Sequence, residues 1–260
     1  MNKKYIFFDI DGTLTSHTIR NHISDSTFLA IKKLKENGHF ISLATGRAVF
    51  LTKEIAEKTT IESLVCEGGN GLIVDGELVA YEPINIDLAK DILRQCDELG
   101  IGWAVSNVDN PLLITRSEDV KTSFSVTSFI RKIEVHKDYD YNNETSIRRI
   151  LIENNQEKYK QLQNIEKIGF MKYEGSPFAL IEPDNKYKGI RKLLEILQGN
   201  EEDVIVFGDG INDISMFKEA KTSVAMGNAI DELKAIATYV TDDANSDGIY
   251  NACLHLGLID

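Results

Sequence analysis

The chain has 260 residues, of which 42% are hydrophobic and 27% are charged, an ordinary composition for a globular protein with a substantial core. The net charge of −12 argues against nucleic acid as a partner, because binding to a phosphate backbone needs a surface rich in lysine and arginine. No apolar stretch approaches the roughly 18 residues of a membrane span, and the IFF run at 6–8 is too short for a signal-peptide core, so we expect a cytoplasmic protein without membrane contact.

The N-terminal part of the chain alternates strand and helix patterns. The continuous apolar run YIFF at 5–8 is typical of a strand buried on both faces. Residues 24–38 predict a helix with apolar residues on one face, 39–44 predict a second strand, and 48–58 predict a second helix. Strands and helices that alternate through short links indicate a parallel sheet covered by helices.

The C-terminal part repeats this alternation, which places it in the same α/β core. The expected elements are helices at 187–199, 212–220 and 229–237, and strands at 203–210, 222–227 and 239–241.

The middle of the chain has a mixed pattern. A hairpin with an Asp-Gly turn is expected at 71–81, whereas 103–146 shows no clear periodicity. We therefore predict an α+β insertion at 83–183 within an α/β core made of 1–82 and 184–260. The other expected elements of the insertion are helices at 87–99 and 156–164, and strands at 147–153, 170–175 and 178–183.

Four short polar segments lie at the carboxyl ends of predicted core strands or at a helix start. They are DIDGT (9–13), ATGR (44–47), KG (188–189) and GDGIND (208–213). Ligands of an open parallel sheet bind outside the carboxyl ends of its strands, so we expect these segments to converge. Two carboxylates about 4 Å apart repel by about 4 kcal/mol at an effective dielectric constant of about 20, and one lysine cannot neutralise four acids. A hard divalent cation can, and Mg²⁺ favours carboxylate oxygens.

The acids of these segments suit phosphoryl transfer. Asp9, the last residue of its strand, is held by the sheet and suits a nucleophile that forms an aspartyl-phosphate. Asp11, in the following turn, can donate a proton to the leaving group as general acid and then activate water as base. Asp209 and Asp213 would hold the metal.

The remaining polar groups suit the binding of a phosphoryl group. Thr45 and Asn212 can donate hydrogen bonds to its oxygens, and a lysine can offset their charge. Lys186 and Lys188 are both candidates for that lysine. We choose Lys188 because it directly precedes the glycine of its segment.

In order and residue type, the four segments resemble the four motifs of the haloacid dehalogenase (HAD) superfamily. The tail AMGNAIDELKAIATYVTDDANSDGI at 225–249 resembles the Cof-type phosphatases of subfamily IIB. The resemblance implies a Rossmann-like core, Mg²⁺, an aspartyl-phosphate intermediate and an inserted cap domain that closes over the substrate and sets specificity. It implies metal ligation by Asp9, the backbone carbonyl of Asp11, and Asp209, with Asp213 in support. It implies phosphate contacts at Thr45, Gly46, Lys188 and Asn212.

Other conspicuous residues have structural explanations. Arg47 can reach a substrate or pair with a core acid. GGNG at 68–71 lacks the Gly-Lys-Ser/Thr ending of a P-loop and leads into a hairpin, so a flexible turn beside the cap hinge is expected. The cysteines, Cys66, Cys96 and Cys253, are far apart and lack metal-site spacing, which favours buried thiols in a reducing compartment.

The sequence therefore predicts a Mg²⁺-dependent phosphatase that acts on small phosphomonoesters, such as sugar phosphates or a phosphorylated cofactor. Two alternatives remain open. A phosphomutase or phosphotransferase would use the same chemistry and give the phosphoryl group to a sugar hydroxyl. A sugar-phosphate sensor would use the same core for binding alone.

Overall fold

The computed structural model describes residues 2–125, 132–172 and 175–260. In these ranges the strands are β1 (Tyr5–Phe8), β2 (Phe40–Ala44), β3 (Leu64–Cys66), β4 (Gly71–Val74), β5 (Glu77–Tyr81), β6 (Trp103–Ser106), β7 (Leu112–Thr115), β8 (Lys132–Val135), β9 (Arg149–Glu153), β10 (Phe170–Lys172), β11 (Phe178–Ile181), β12 (Val204–Gly208), β13 (Thr222–Ala225) and β14 (Tyr239–Val240). The α-helices are α1 (Asp25–Glu36), α2 (Val49–Thr59), α3 (Ile86–Leu99), α4 (Glu118–Phe124), α5 (Gln156–Tyr159), α6 (Lys186–Leu197), α7 (Ile214–Glu219), α8 (Asp231–Ile236) and α9 (Gly248–His255).

These elements form two units. The first consists of the residues up to Tyr81 together with Asn185–Asp260, and the second is Glu82–Asp184. Each boundary lies one residue from the division expected from the sequence. No helix in the described ranges has both the length and the apolar content needed to cross a bilayer.

The first unit is built on one sheet with the strand order β14-β13-β12-β1-β2-β3-β4-β5. Pairing is parallel from β14 to β3 and antiparallel from β3 to β5. The central strand β1 is buried on both faces, because Ile6 and Phe8 pack in one apolar cluster and Phe7 packs in another. The predicted α/β fold with a largely parallel sheet flanked by helices is confirmed.

Parallel register aligns the ends of the central strands. Phe8 lies opposite Phe207 of β12 and opposite Leu43 of β2. The residues that follow these three strands therefore leave the sheet side by side, at its carboxyl edge.

The second unit is an α+β structure around a six-stranded sheet with the order β10-β11-β9-β6-β7-β8. All its pairs are antiparallel except β7–β8. Strands β6, β7 and β8 and helix α4 lie in the stretch where the sequence shows no clear period. The helix expected at 156–164 is wrong in length, because α5 has one turn. The expected strand at 170–175 is seen as β10, and residues 173–174 lie outside the described ranges.

Candidate active site

Asp9 directly follows β1 and opens the site. Its N–H donates to the carbonyl of Phe207 at 3.0 Å, and only 4% of the residue is exposed. The chain then turns at Gly12, where φ is +84° and a Cβ would lie 2.3 Å from Oδ2 of Asp209. A glycine is required there for both reasons, and the turn brings the first acidic segment against the fourth.

The loop after β12 brings Asp209 and Asp213 to the same place. Oδ2 of Asp213 accepts the N–H groups of Asp209 and Gly210, each at 2.9 Å. A Cβ on Gly208 would lie 2.6 Å from Cγ of Asp213, so the loop closes tightly around this carboxylate. The hydroxyl of Thr13 donates to Oδ1 of Asp209 at 2.9 Å, which ties the two loops together.

Asp9, Asp209 and Asp213 form a group that could hold a metal ion. One carboxylate oxygen from each lies within 4.8 Å of the others. Three hard oxygen donors in a largely buried group fit a divalent cation. Within the described ranges the side chain of Asp11 is not part of this group. Ligation by its backbone carbonyl stays a prediction.

The lysine in contact with the acids is Lys186 and not Lys188, the lysine chosen from the sequence. Lys186 is fully buried, and its Nζ donates to Oδ1 of Asp9 at 2.5 Å and to Oδ1 of Asp213 at 2.6 Å. Lys188 is exposed on the same helix, and its N–H donates to Oδ1 of Asn185 at 3.0 Å. Residues two positions apart in an α-helix point in directions that differ by about 200°, so only one of the two lysines can face the acids.

Burial and crowded charge shift the pKa values of this cluster. Burial raises the pKa of Asp9 well above 3.8, opposed by Lys186 and reinforced by the charges of Asp213 and Asp209. Burial and the charge of Asp213 raise the pKa of Asp209 to about 7. Burial alone would lower the pKa of Lys186, but the carboxylates of Asp213 and Asp9 outweigh it and the pKa is raised. The cluster has more negative charge than one lysine neutralises, which favours uptake of a cation.

Asp11 is held at the rim of the site by Arg47. The guanidinium donates to both carboxylate oxygens, from Nη2 at 2.5 Å and from Nε at 2.8 Å, and 64% of the Asp11 side chain is exposed. Arg47 also donates to Oδ1 of Asn21 at 3.0 Å and to the carbonyl of Leu51 at 3.2 Å. Of the two roles considered for Arg47, the structure shows pairing with an acid, and that acid is the proposed proton donor.

Three of the predicted phosphate-binding residues, Thr45, Gly46 and Asn212, lie in the segments that follow β2 and β12. Thr45 is buried after β2, and its Oγ1 accepts the N–H of Arg47 at 3.1 Å. Gly46 is half-buried between them. Asn212 is half-buried in the 3₁₀ turn Ile211–Asp213, directly before the metal-group acid Asp213. Their contacts to phosphate stay a prediction.

The GGNG segment at 68–71 is packed rather than a flexible turn. Its first glycine accepts the N–H of Asn185 at 2.9 Å through its carbonyl. A Cβ on Gly69, where φ is +104°, would lie 2.2 Å from the carbonyl oxygen of Asn185. Since Asn185 caps α6 directly before Lys186, these glycines let the loop approach the start of that helix closely.

The three cysteines are buried and form no disulfide, as expected, and within the described ranges none belongs to the group of acids that could hold a metal ion.

Comparison with known proteins places this geometry in a family. The model of the haloacid dehalogenase-like hydrolases matches residues 6–253. YkrA of Bacillus subtilis (strain 168), a candidate phosphatase by name, is 31% identical over 100% of both chains. The 5-amino-6-(5-phospho-D-ribitylamino)uracil phosphatase YcsE of the same organism is 28% identical, over 97% of this chain and 95% of its own.

A solved structure supports the same family. The HAD subclass IIB sugar phosphatase BT4131 is similar with a TM-score of 0.81 and 29% identity, over 99% of this chain and 100% of its own. The match spans nearly the whole chain and contains all the acids and the lysine described above. The chain therefore belongs to the haloacid dehalogenase-like hydrolases, and it is an enzyme of the phosphatase class within that family.

Proposed function

We propose that this protein is a Mg²⁺-dependent phosphatase that hydrolyses small phosphomonoesters through an aspartyl-phosphate at Asp9. One observation supports this above all others. Lys186, Asp209 and Asp213 converge on a buried aspartate at the carboxyl edge of the sheet. A buried acid cluster of this kind is costly unless it serves a bound cation and an anionic substrate.

In the proposed first step an oxygen of Asp9 attacks phosphorus, and the bond from phosphorus to the ester oxygen breaks. Asp11 gives a proton to that oxygen, so the product leaves as an alcohol. In the second step Asp11 takes a proton from water, whose oxygen attacks phosphorus and frees Asp9 and inorganic phosphate. Asp11 keeps the proton that it takes from water and can give it to the leaving group of the next substrate, so the cycle is balanced.

The surrounding residues hold the reacting groups. Lys186 fixes Oδ1 of Asp9 and leaves the other carboxylate oxygen for attack. Asp9, Asp209 and Asp213 would hold Mg²⁺, which when bound supplies positive charge against the phosphoryl oxygens. Arg47 orients Asp11 by two hydrogen bonds, which use two of about four acceptor positions of a carboxylate.

The proposed substrate class rests on the relatives and on the charge of the cluster. One relative is named for a phosphorylated ribitylaminouracil and a similar structure is a sugar phosphatase. Both substrates named are small phosphorylated molecules with many polar groups. We propose that residues 83–183 act as the cap domain that selects among such molecules.

The test is a screen of phosphorylated metabolites with purified protein, ranked by kcat/KM, with and without a chelator. We expect hydrolysis that requires Mg²⁺ and that Asp9→Asn abolishes. Asp75→Asn is the control, because Asp75 lies exposed in the hairpin turn, where asparagine before glycine is well tolerated.

Other outcomes would redirect the proposal. Isomer interconversion without release of phosphate would indicate a phosphomutase. Tight binding of sugar phosphates by the wild-type protein with no turnover of any substrate would indicate a sensor. Hydrolysis that persists unchanged in Asp9→Asn would contradict the nucleophile.

A further inference from the structure

Asn228, three residues after the end of β13, contacts both acidic loops of the site. Its Nδ2 donates to the carbonyl of Gly12 at 2.8 Å and lies 3.5 Å from Oδ2 of Asp209. Its Oδ1 accepts the N–H of Ala244 at 2.9 Å. One half-buried amide therefore joins the loop after β1, the loop after β12 and the segment that follows β14.

The orientation of this amide follows from its partners. The N–H of Ala244 can only donate, so it must meet the amide oxygen. The amide nitrogen must then face the carbonyl of Gly12 and the carboxylate of Asp209, both of which can only accept. No exchange of oxygen and nitrogen would satisfy all three partners.

The backbone around Asn228 leaves little room for it to move. The N–H of Gly227 donates to the carbonyl of Asp242 at 2.9 Å, and a Cβ on Gly227 would lie 2.6 Å from the nitrogen of Asp243. The amide is thus set on a closely packed pair of backbone segments. A donor on a rigid support orients its acceptor at little entropic cost.

Asn228 also completes the orientation of Asp209. Thr13 donates to Oδ1 of that carboxylate at 2.9 Å, and Nδ2 of Asn228 lies 3.5 Å from Oδ2. Because each oxygen of the Asp209 carboxylate contacts a donor, the plane of the carboxylate is fixed relative to Asp9 and Asp213.

We propose that Asn228 is a positioning residue, which fixes Asp209 and the Gly12 turn in the geometry that binds a divalent cation. This inference rests on the proposed function of the site. Hydrogen-bond partners of metal-binding carboxylates generally affect metal affinity by about 10- to 100-fold. Because the contact to Oδ2 is long, we expect the lower end of that range, roughly tenfold.

The test compares Mg²⁺ binding by the wild-type protein, Asn228→Ser and Asn228→Ala, measured by calorimetry and by the Mg²⁺ dependence of Tm. Asn37→Ser is the matched control, since the Asn37 amide is also half-buried and donates to a backbone carbonyl, that of Leu258, at 2.8 Å. We expect the dissociation constant for Mg²⁺ to rise roughly tenfold in both Asn228 variants and to stay unchanged in the control.

The outcomes separate this inference from the proposed function. If the Asn228 variants have a lower Tm but bind Mg²⁺ with the affinity of the wild-type protein, the residue is only structural and the inference is wrong. If one Asn228 variant fails to fold, the other still gives the binding curve. If both fail to fold where Asn37→Ser folds, the role is structural and the inference fails. If the wild-type protein itself neither binds Mg²⁺ nor shows Mg²⁺-dependent hydrolysis, the proposed function fails instead.

Discussion

Replacing Lys186 by methionine is the most informative perturbation of the cluster. Methionine has about the same length and suits a buried position, so the change removes the charge with little change in packing. The ammonium group contacts Asp9 at 2.5 Å and Asp213 at 2.6 Å, and none of the three side chains exceeds 5% exposure. The variant therefore leaves two buried carboxylates without their cation.

The expected loss of stability follows from that geometry. Removing one partner of a buried ion pair costs about 3–5 kcal/mol, because the remaining charge has no compensation. For a protein of this size each kcal/mol lowers Tm by about 2–4 °C, so we expect a fall of about 6–20 °C in chelator at pH 7. The fall should shrink at pH 5, because burial raises the pKa of Asp9 and a protonated Asp9 needs no cation.

The assay is thermal unfolding of the wild-type protein, Lys186→Met and Lys188→Met. Lys188 is exposed on the same helix, and surface substitutions usually change stability by no more than about 0.5 kcal/mol. A Tm of Lys186→Met within a few degrees of the Lys188→Met control would refute the reasoning. So would a loss of hydrolysis in Lys188→Met that Lys186→Met does not show.

Two further predictions concern the acids. The pKa of Asp209 is raised from 3.8 to about 7 on folding. As pH rises, the unfolded chain therefore loses this proton at a lower pH than the folded protein. In chelator, stability should therefore fall as pH rises from about 4 to about 7, and Mg²⁺ should restore it at pH 7. Arg47→Gln should slow hydrolysis of alkyl phosphates at least tenfold more than that of aryl phosphates, because only a poor leaving group needs a proton from an oriented Asp11.

Each of these has its own control. The fall in stability with pH should be smaller in Asp209→Asn, and an identical slope in that variant would contradict the assignment. If Arg47→Gln slows both substrate classes by the same factor, Arg47 does not act through proton donation by Asp11 to the leaving group.

The acids of the site could be predicted because their placement is local. Asp9 follows a run that is buried on both faces of the sheet, and Asp209 follows another such strand. Parallel strands end at one edge, so their next residues meet whatever the rest of the chain does. The glycine in each loop, such as Gly12, is a further local signal of a tight turn.

The lysine could not be settled in the same way. Lys186 and Lys188 are two positions apart at the start of α6, and the sequence places that start within about two residues. The first residue of the helix decides which lysine faces the acids. That residue is fixed by Asn185, which is held by the loop at Gly68 and Gly69, more than a hundred positions earlier in the chain.

The insertion was the least predictable part of the fold. Strands β6, β7 and β8 have four residues each, too few to establish a period of two. In the first unit, strand β3 was equally hard to predict. It has three residues and no pattern of its own, and it is defined by its neighbours β2 and β4. Short strands of this kind are stabilised by pairing that a single segment does not encode.

The central claim is that Asp9 becomes phosphorylated, and it can be tested directly by trapping. Asp11→Asn protein is mixed with Mg²⁺ and an aryl phosphate, whose leaving group needs no proton, so the acyl phosphate should form and its hydrolysis should be slow. Acid quenching and borohydride reduction then convert a phosphorylated aspartate to homoserine, which peptide mass spectrometry locates. We expect homoserine at position 9, only with substrate and Mg²⁺ present. Homoserine at another aspartate, or none in Asp11→Asn while the wild-type protein turns over the same substrate, would contradict it.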